Sequence, residues 1–285
     1  MTQEQKSKIK EELIKQFGIS SQNKLAKKWN ISSAMLTHVA KDNWSVVGLK
    51  TWKKLADVLG LNKEEWQIVE TRQSKFISEL LDIAQFKSNV FALIAPAGSG
   101  KTATTKQYAH NVSSVYRIEC AEYWNKKAFM SELLKSMGHS PEGKTIYHIM
   151  ENIQEAILKE ERPLLILDEA DKLRDEVFYF FITLYNKLQG KCGIVICATN
   201  YLQNRIVKGL KNNKKGYQEI FSRIGRRFVE VPSVGSIDIS NICTANGVTA
   251  TKDIEHVIKE AEGDIRRVER SIESIKLRNE NSLAA

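Results

Sequence analysis

The stretch Val90-Phe91-Ala92-Leu93-Ile94-Ala95-Pro96-Ala97-Gly98-Ser99-Gly100-Lys101-Thr102 runs from an apolar strand pattern into a glycine-rich turn that closes on Gly-Lys-Thr. In a loop of this kind successive backbone N–H groups point inward, Gly98 and Gly100 let the backbone approach a ligand closely, and the following helix offers its positive end to an anion. The pattern places Lys101 against the β- and γ-phosphates of a nucleotide and Thr102 against Mg²⁺, with Pro96, Ala97, Gly98, Ser99 and Gly100 as the cradle. The usual pattern opens with Gly where this chain has Ala95. Gly-Lys-Thr also arises by chance in surface turns, so a second motif is needed.

Leu164-Leu165-Ile166-Leu167-Asp168-Glu169-Ala170-Asp171 supplies it. A continuous apolar run suits a strand buried on both faces of a parallel sheet, and this one ends in adjacent carboxylates. Asp168 is placed to bind Mg²⁺ through water, and Glu169 to act as base for the water that attacks the γ-phosphate. Taken alone, both acids would serve equally as helix N-terminal charges. Together with the phosphate loop they point to ATP hydrolysis.

The length of 285 residues suffices for two or three domains. No run of eighteen apolar residues and no secretory leader pattern is present, so a soluble, cytoplasmic chain without membrane contact is expected. Cys120, Cys192, Cys197 and Cys243 show no Cys-x-x-Cys pairing and read as buried thiols in a reducing compartment. The five histidines have no metal-ligand spacing, leaving nucleotide-bound Mg²⁺ as the expected metal.

The net charge of +9 and pI near 9.2 point to a polyanionic partner, double-stranded DNA above all. The excess is uneven. Residues 1–62 hold eleven Lys against five acids. Residues 205–227 hold Arg205, Lys208, Lys211, Lys214, Lys215, Arg223, Arg226 and Arg227 against Glu219. Solvated lysine faces are common, and the charge alone leaves that alternative open. The segment Lys211–Gly216 has no apolar anchor and reads as a mobile phosphate-contacting loop.

Three zones follow from the periodicity. Residues 1–64 read as short helices over 5–17, 21–29, 33–41 and 48–59, and a connecting helix over 65–88, its pattern starting near Lys63, leads into residues 89–232. There, strands near 90–95, 114–119, 163–168, 192–198 and 227–231 alternate with helices, the pattern of a parallel α/β sheet. Residues 233–285 carry three helical segments, a small lid. Within the first zone, Gln22 to Val39 resembles a helix-turn-helix, with Leu25, Ala26, Ile31 and Leu36 as the shared seam and Ser32 or Ser33 as the second helix's cap. Asn30 stands where the turn favours Gly, since Asn tolerates positive φ. Ser33, Thr37 and His38 would then face a DNA groove; a helical module for protein contacts is the alternative.

Two further segments bear on the nucleotide. Cys192 to Asn200 is another buried strand with a polar end, and beside the Asp168 strand it would bring Asn200 to the γ-phosphate and the attacking water. Phe221-Ser222-Arg223-Ile224-Gly225-Arg226-Arg227-Phe228 precedes the last strand. Its arginines, like Arg266 in Gly263-Asp264-Ile265-Arg266-Arg267, also suit DNA phosphate contacts or surface ion pairs.

The order of these motifs, with Asp168-Glu169-Ala170-Asp171-Lys172-Leu173, Ala198-Thr199-Asn200 and Phe221 to Arg227 as the most specific parts, resembles the MuB family of phage transposition proteins, a branch of the AAA+ ATPases. The resemblance covers nearly the whole chain and is weakest in the lid. It implies a P-loop AAA+ core with a helical lid behind an all-α helix-turn-helix domain. Asn200 is then the first sensor, Arg266 touches the γ-phosphate from within the subunit, and Arg223, ahead of Arg226 or Arg227, reaches a neighbour's ATP. The family implies ATP-dependent, largely sequence-independent assembly on target DNA as a helical filament or ring, delivery of that DNA to a transposase, and release on hydrolysis. Alternatives are a helper ATPase of origin-loader or insertion-sequence type, and an ATP-gated DNA-binding regulator.

Overall fold

Apolar side chains at three- and four-residue spacing gather the first residues into four helices: α1 (Gln3–Ile19), α2 (Gln22–Trp29), α3 (Ser33–Ala40) and α4 (Leu49–Val58). Their common core holds Ile9, Leu13, Leu25, Trp29, Ile31, Leu36, Val39, Trp52 and Leu55, with Ala26 packed against it. Thr2 and Gln5 form a reciprocal capping box at the start of α1, and the Ser32 hydroxyl caps α3. Asn30 closes α2 at φ +50°, the left-handed turn expected of it. The structure, a computed structural model, describes residues 1–61 and 66–284, and the chain divides into two compact units, Met1–Gln67 and Ile68–Ala285.

In the second unit the elements run α5 (Arg72–Lys87), β1 (Val90–Ile94), α6 (Lys101–Asn111), β2 (Val115–Glu119), α7 (Lys126–Ser136), α8 (Ile146–Leu158), β3 (Leu164–Asp168), α9 (Asp175–Leu188), β4 (Gly193–Ala198), α10 (Asn200–Lys211), α11 (Tyr217–Arg223) and β5 (Val229–Glu230). Three helices follow: α12 (Ser236–Ala245), α13 (Thr251–Ala261) and α14 (Ile265–Ala284). The helix expected over 65–88 is shorter than its pattern. Residues 66–70 are not helical, and α5 begins only where Thr71 and Ser74 cap each other reciprocally. The expected start near Lys63 lies outside the described residues.

Strands apolar at every position need cover on both faces, because successive side chains point to opposite sides. The five parallel strands lie in the order β2-β3-β4-β1-β5. Ala92, Ile94, Ile118, Leu165, Leu167, Ile194 and Ile196 face one core shared with α7 to α11, and Leu93, Leu164, Ile166, Val195 and Cys197 face another shared with α5 and with Tyr108 of α6. All five carboxyl ends therefore open at one end of the sheet, where β3 and β4 are neighbours and β1 lies beyond β4.

Helix α5 sits so close to the sheet that a Cβ at Gly193 would collide with the carbonyl group of Ala84. Replacing Gly193 by Ala is expected to destabilise the second unit by about 1–3 kcal/mol, read from the midpoint of urea unfolding.

Candidate active site

Between β1 and α6 the backbone turns through Gly98 at φ +75° and Gly100 at φ +81°, a left-handed conformation that glycine adopts without steric cost. Ala95 has no positive φ, so Ala serves at the position where the usual pattern has Gly. Its amide instead continues the sheet by donating to Ala198 O at 3.1 Å. Lys101 is buried, and its Nζ donates to Ala95 O at 2.7 Å, Pro96 O at 2.9 Å and Ser99 Oγ at 3.4 Å. Burial pushes this ammonium below the usual lysine range; the charges of Asp168 and Asp171 oppose the shift and Arg266 adds to it. A cation buried at the positive end of a helix, with a second cation near it, favours a polyanion.

Asp168, at the end of β3, is 0 % exposed. Its Oδ2 accepts from Arg117 Nη2 at 2.6 Å, and its Oδ1 accepts from the Glu169 amide at 3.0 Å. Arg117, on β2, also donates through Nε to Thr105 Oγ1 at 3.1 Å and through Nη2 to Glu119 at 3.3 Å. Glu169 adopts φ +54° and is paired with Lys172, whose own pKa rises because of that hydrogen bond. Carboxylate and hydroxyl oxygens, as offered by Asp168 and Thr102, are the hard donors that suit Mg²⁺.

Asp171 Oδ2 accepts from Thr199 Oγ1 at 2.7 Å, and Thr199 caps α10, whose first residue is the exposed Asn200. The lid turn reaches the same end. Ile265 N donates to Gly98 O at 2.8 Å, and a Cβ on Gly98 would overlap the Asp264 carboxylate, which itself accepts from the Arg266 amide at 2.8 Å. Arg266 is exposed in the first turn of α14. Thus Lys101, Asp168, Glu169, Asn200 and Arg266 all stand on segments at the carboxyl end of the sheet. Arg223 does not join them: on α11 it donates to Asn186 Oδ1 at 3.1 and 3.2 Å and lies over the Tyr185 ring, against the far end of α9.

The basic segment is not the unanchored loop its composition suggests. Lys208 and Lys211 belong to α10, and Gly209 packs against the Tyr217 ring. Asp175 accepts from Arg205 at 2.5 and 3.0 Å and from Tyr217 Oη at 2.8 Å, and it pairs with Lys214. Burial works against the Asp175 charge, but the bonds from Lys214, Tyr217 and Arg205 outweigh it and hold the carboxyl below its ordinary pKa. Arg205 also donates to Leu173 O at 2.7 Å and lies over the Phe178 ring. Lys208, Lys211 and Lys215 are exposed on α10 and the turn after it, and Arg226 and Arg227 are exposed between α11 and β5.

In the first unit, Gln22 Nε2 donates to Ser33 Oγ at 3.0 Å and Thr37 Oγ1 at 2.7 Å, while His38 Nδ1 pairs with Asn43 Nδ2 at 3.3 Å. Ser33 and Thr37 are half-buried and staple α3 to the start of α2.

Arg117, Lys172, Asp175 and Asp264 were not singled out from the sequence. Arg117 lies 51 residues from Asp168, and nothing in the pattern of β2 marks its partner. Asp175 opens an ordinary helix start, where an acid needs no further explanation.

Residues 84–206 match the family described as AAA domain. That span contains the phosphate loop, the acidic end of β3 and Asn200, so the chain carries an AAA domain with a P-loop α/β sheet, the kind of domain that binds nucleotide. No curated protein matches the chain. Among solved structures, that of NtrX from Brucella abortus matches at 14% identity with a TM-score of 0.41, over 85% of this chain and 56% of that one. This chain therefore spans just over half the length of that protein.

Removing one member of a buried ion pair leaves the other uncompensated, so Arg117→Ala is expected to cost about 3–5 kcal/mol. The double variant Arg117→Met/Asp168→Leu should recover most of that loss in urea unfolding, because the stranded charge is then gone.

Proposed function

We propose that this chain is an ATPase that assembles on duplex DNA in an ATP-dependent, largely sequence-independent way and presents the DNA to a transposase. The observation that carries this reading is the double attachment of α10. Its first turn is tied to Asp171 through Thr199, beside Asn200 and Glu169; its last two turns carry Lys208 and Lys211 and are held to Asp175 through Arg205. One short helix thus joins the proposed γ-phosphate end to the proposed DNA-facing end.

In this reading Lys101 and the amides of Pro96 to Thr102 bind the triphosphate, and a buried, destabilised ammonium is relieved by the arriving negative charge. Thr102 and Asp168 would hold Mg²⁺, which when bound neutralises charge on the transferring phosphoryl group. Arg117 keeps the Asp168 carboxylate fixed and charge-balanced. Glu169 takes the proton of the attacking water after leaving Lys172, Asn200 orients that water, and Arg266 binds the γ-phosphate from the lid. Arg223, already on α11 at the surface of the basic hairpin, serves the ATP of a neighbouring copy, so that assembly requires ATP.

Lys208, Lys211, Lys215, Arg226 and Arg227 contact DNA phosphates, with Lys214 shared between Asp175 and the DNA. Individual contacts are weak, and an assembly aligns many of them along one duplex. Ser33, Thr37 and His38 place the helix-turn-helix against DNA or the partner. In this reading the protein works in the cytoplasm. No described helix is long and apolar enough to cross a membrane.

Glu169→Gln is expected to keep ATP affinity while hydrolysis falls by a factor of roughly 10²–10⁴, with DNA complexes that outlast those of the wild type in filter binding. Rapid release by that variant would remove Glu169 from the role of base. Changing Lys208, Lys211 and Lys215 together to Ala should shallow the slope of log affinity against log salt by about 0.9 per lost phosphate contact. An unchanged slope puts the DNA elsewhere, and a discrete footprint in place of continuous coverage would favour an operator-binding regulator.

A further inference from the structure

Gln73, in the first turn of α5, is 1 % exposed, and neither its Nε2 nor its Oε1 has a hydrogen-bond partner among the described residues. Leaving a whole amide buried and unpaired costs more than its hydrogen bonds would contribute, so such a group calls for a partner. Its place in the fold indicates which. The buried stripe of α5 runs Gln73, Ile77, Leu80, Leu81, Ala84. Ala84 lies against Gly193, where β4 begins, so α5 runs antiparallel to the strands. Eleven residues of helix carry the chain about 16 Å back toward their carboxyl ends. The path from Val90 to Ala95 along β1 is also about 16 Å, which sets Gln73 level with the start of the phosphate loop. Ile77, Leu80 and Leu81 share a core with Ala95 and Val231 on that same face.

The surrounding contacts close a ring between α5 and the lid. Arg72 N donates to Asp238 Oδ1 at 3.0 Å, and Gly235 N donates to Asp238 Oδ2 at 3.3 Å. Val231 N donates to Ile94 O at 3.0 Å, and Ile265 N to Gly98 O at 2.8 Å. The first turn of α5, the segment from Val231 to Asp238, the Gly263 turn and the phosphate loop are therefore contiguous. This junction borders the loop that would hold a nucleotide's phosphates on Lys101.

We infer that Gln73 reads the base of that nucleotide, its Oε1 accepting from the N6 amino group of adenine and its Nε2 donating to N7. Glutamine and the N6/N7 edge of adenine match in this bidentate way, whereas guanine presents two acceptors there, O6 and N7, and sets O6 against the amide oxygen. Gln73 is thus a specificity-determining residue for the proposed ATP site, and the assignment rests on that site's reading. Binding of the base satisfies the buried amide that the described residues leave unpaired.

Equilibrium binding of fluorescent ATP, GTP and 7-deaza-ATP to the full chain, with Lys101→Ala as control, tests this. The wild type should favour ATP over both others by about five- to hundredfold, the range of one bidentate base contact. Gln73→Leu should bind all three alike, near the wild type's GTP affinity, and unfold in the absence of nucleotide at no lower temperature than the wild type. Gln73→Met serves the same purpose where Leu fails to fold. Discrimination retained by the variant, or absent from the wild type, overturns the inference. If the wild type binds no nucleotide, or binds as well after Lys101→Ala, the phosphate site itself fails and the base reading falls with it.

Discussion

Four carboxylates crowd into the eight residues from Asp168 to Asp175, starting at the last residue of a strand buried on both faces, and each has a different hydrogen-bonding or ion-pair partner. Asp168 takes Arg117 from β2, Glu169 takes Lys172 within its own turn, Asp171 takes Thr199 from the end of β4, and Asp175 takes Arg205, Lys214 and Tyr217 from the α10–α11 hairpin. A charge desolvated in a sheet core is tolerable only with such partners. The sheet order sets β2 and β4 beside β3, and with α10 and α11 they supply the partners of this acidic turn, which also carries the proposed base and metal ligand. Chemistry and architecture depend on one set of pairings.

The strongly periodic or motif-bearing parts could be read directly from the sequence. The five strands lie within two residues of the expected positions, because an unbroken apolar run has few other uses in a short segment. The left-handed Asn30 was also legible, since the turn geometry demands a residue that tolerates positive φ. The start of α5 was not, because the periodic pattern continues upstream of the Thr71–Ser74 capping box that ends it. Nor was the anchoring of Lys214, since its partner Asp175 is 39 residues away and belongs to another helix. Local pattern specifies elements; the choice of ion-pair partners is made by the topology of the sheet.

The lid makes a second set of contacts to this end of the sheet. Its turn at Asp264 and Ile265 sits directly on Gly98, and its first helix is hydrogen-bonded through Asp238 to the start of α5. Lys101 remains bonded to the carbonyls of its own loop, with a lowered affinity for its proton, and Gln73 holds two buried polar atoms without a partner among the described residues. Both features raise the free energy of this arrangement, and in the reading proposed above one ligand with a polyanionic tail and an adenine edge would relieve them. The first unit has its own core and capped helices.

The central claim is that α10 transmits the state of the nucleotide site to the basic surface because Asp175 fastens it there. The most direct measurement is the affinity of the Asp175→Asn variant for labelled duplex DNA, with and without a non-hydrolysable ATP analogue, alongside its affinity for the analogue itself. The account predicts that nucleotide binding survives while the nucleotide-dependent gain in DNA affinity collapses. A gain equal to that of the wild type would contradict it.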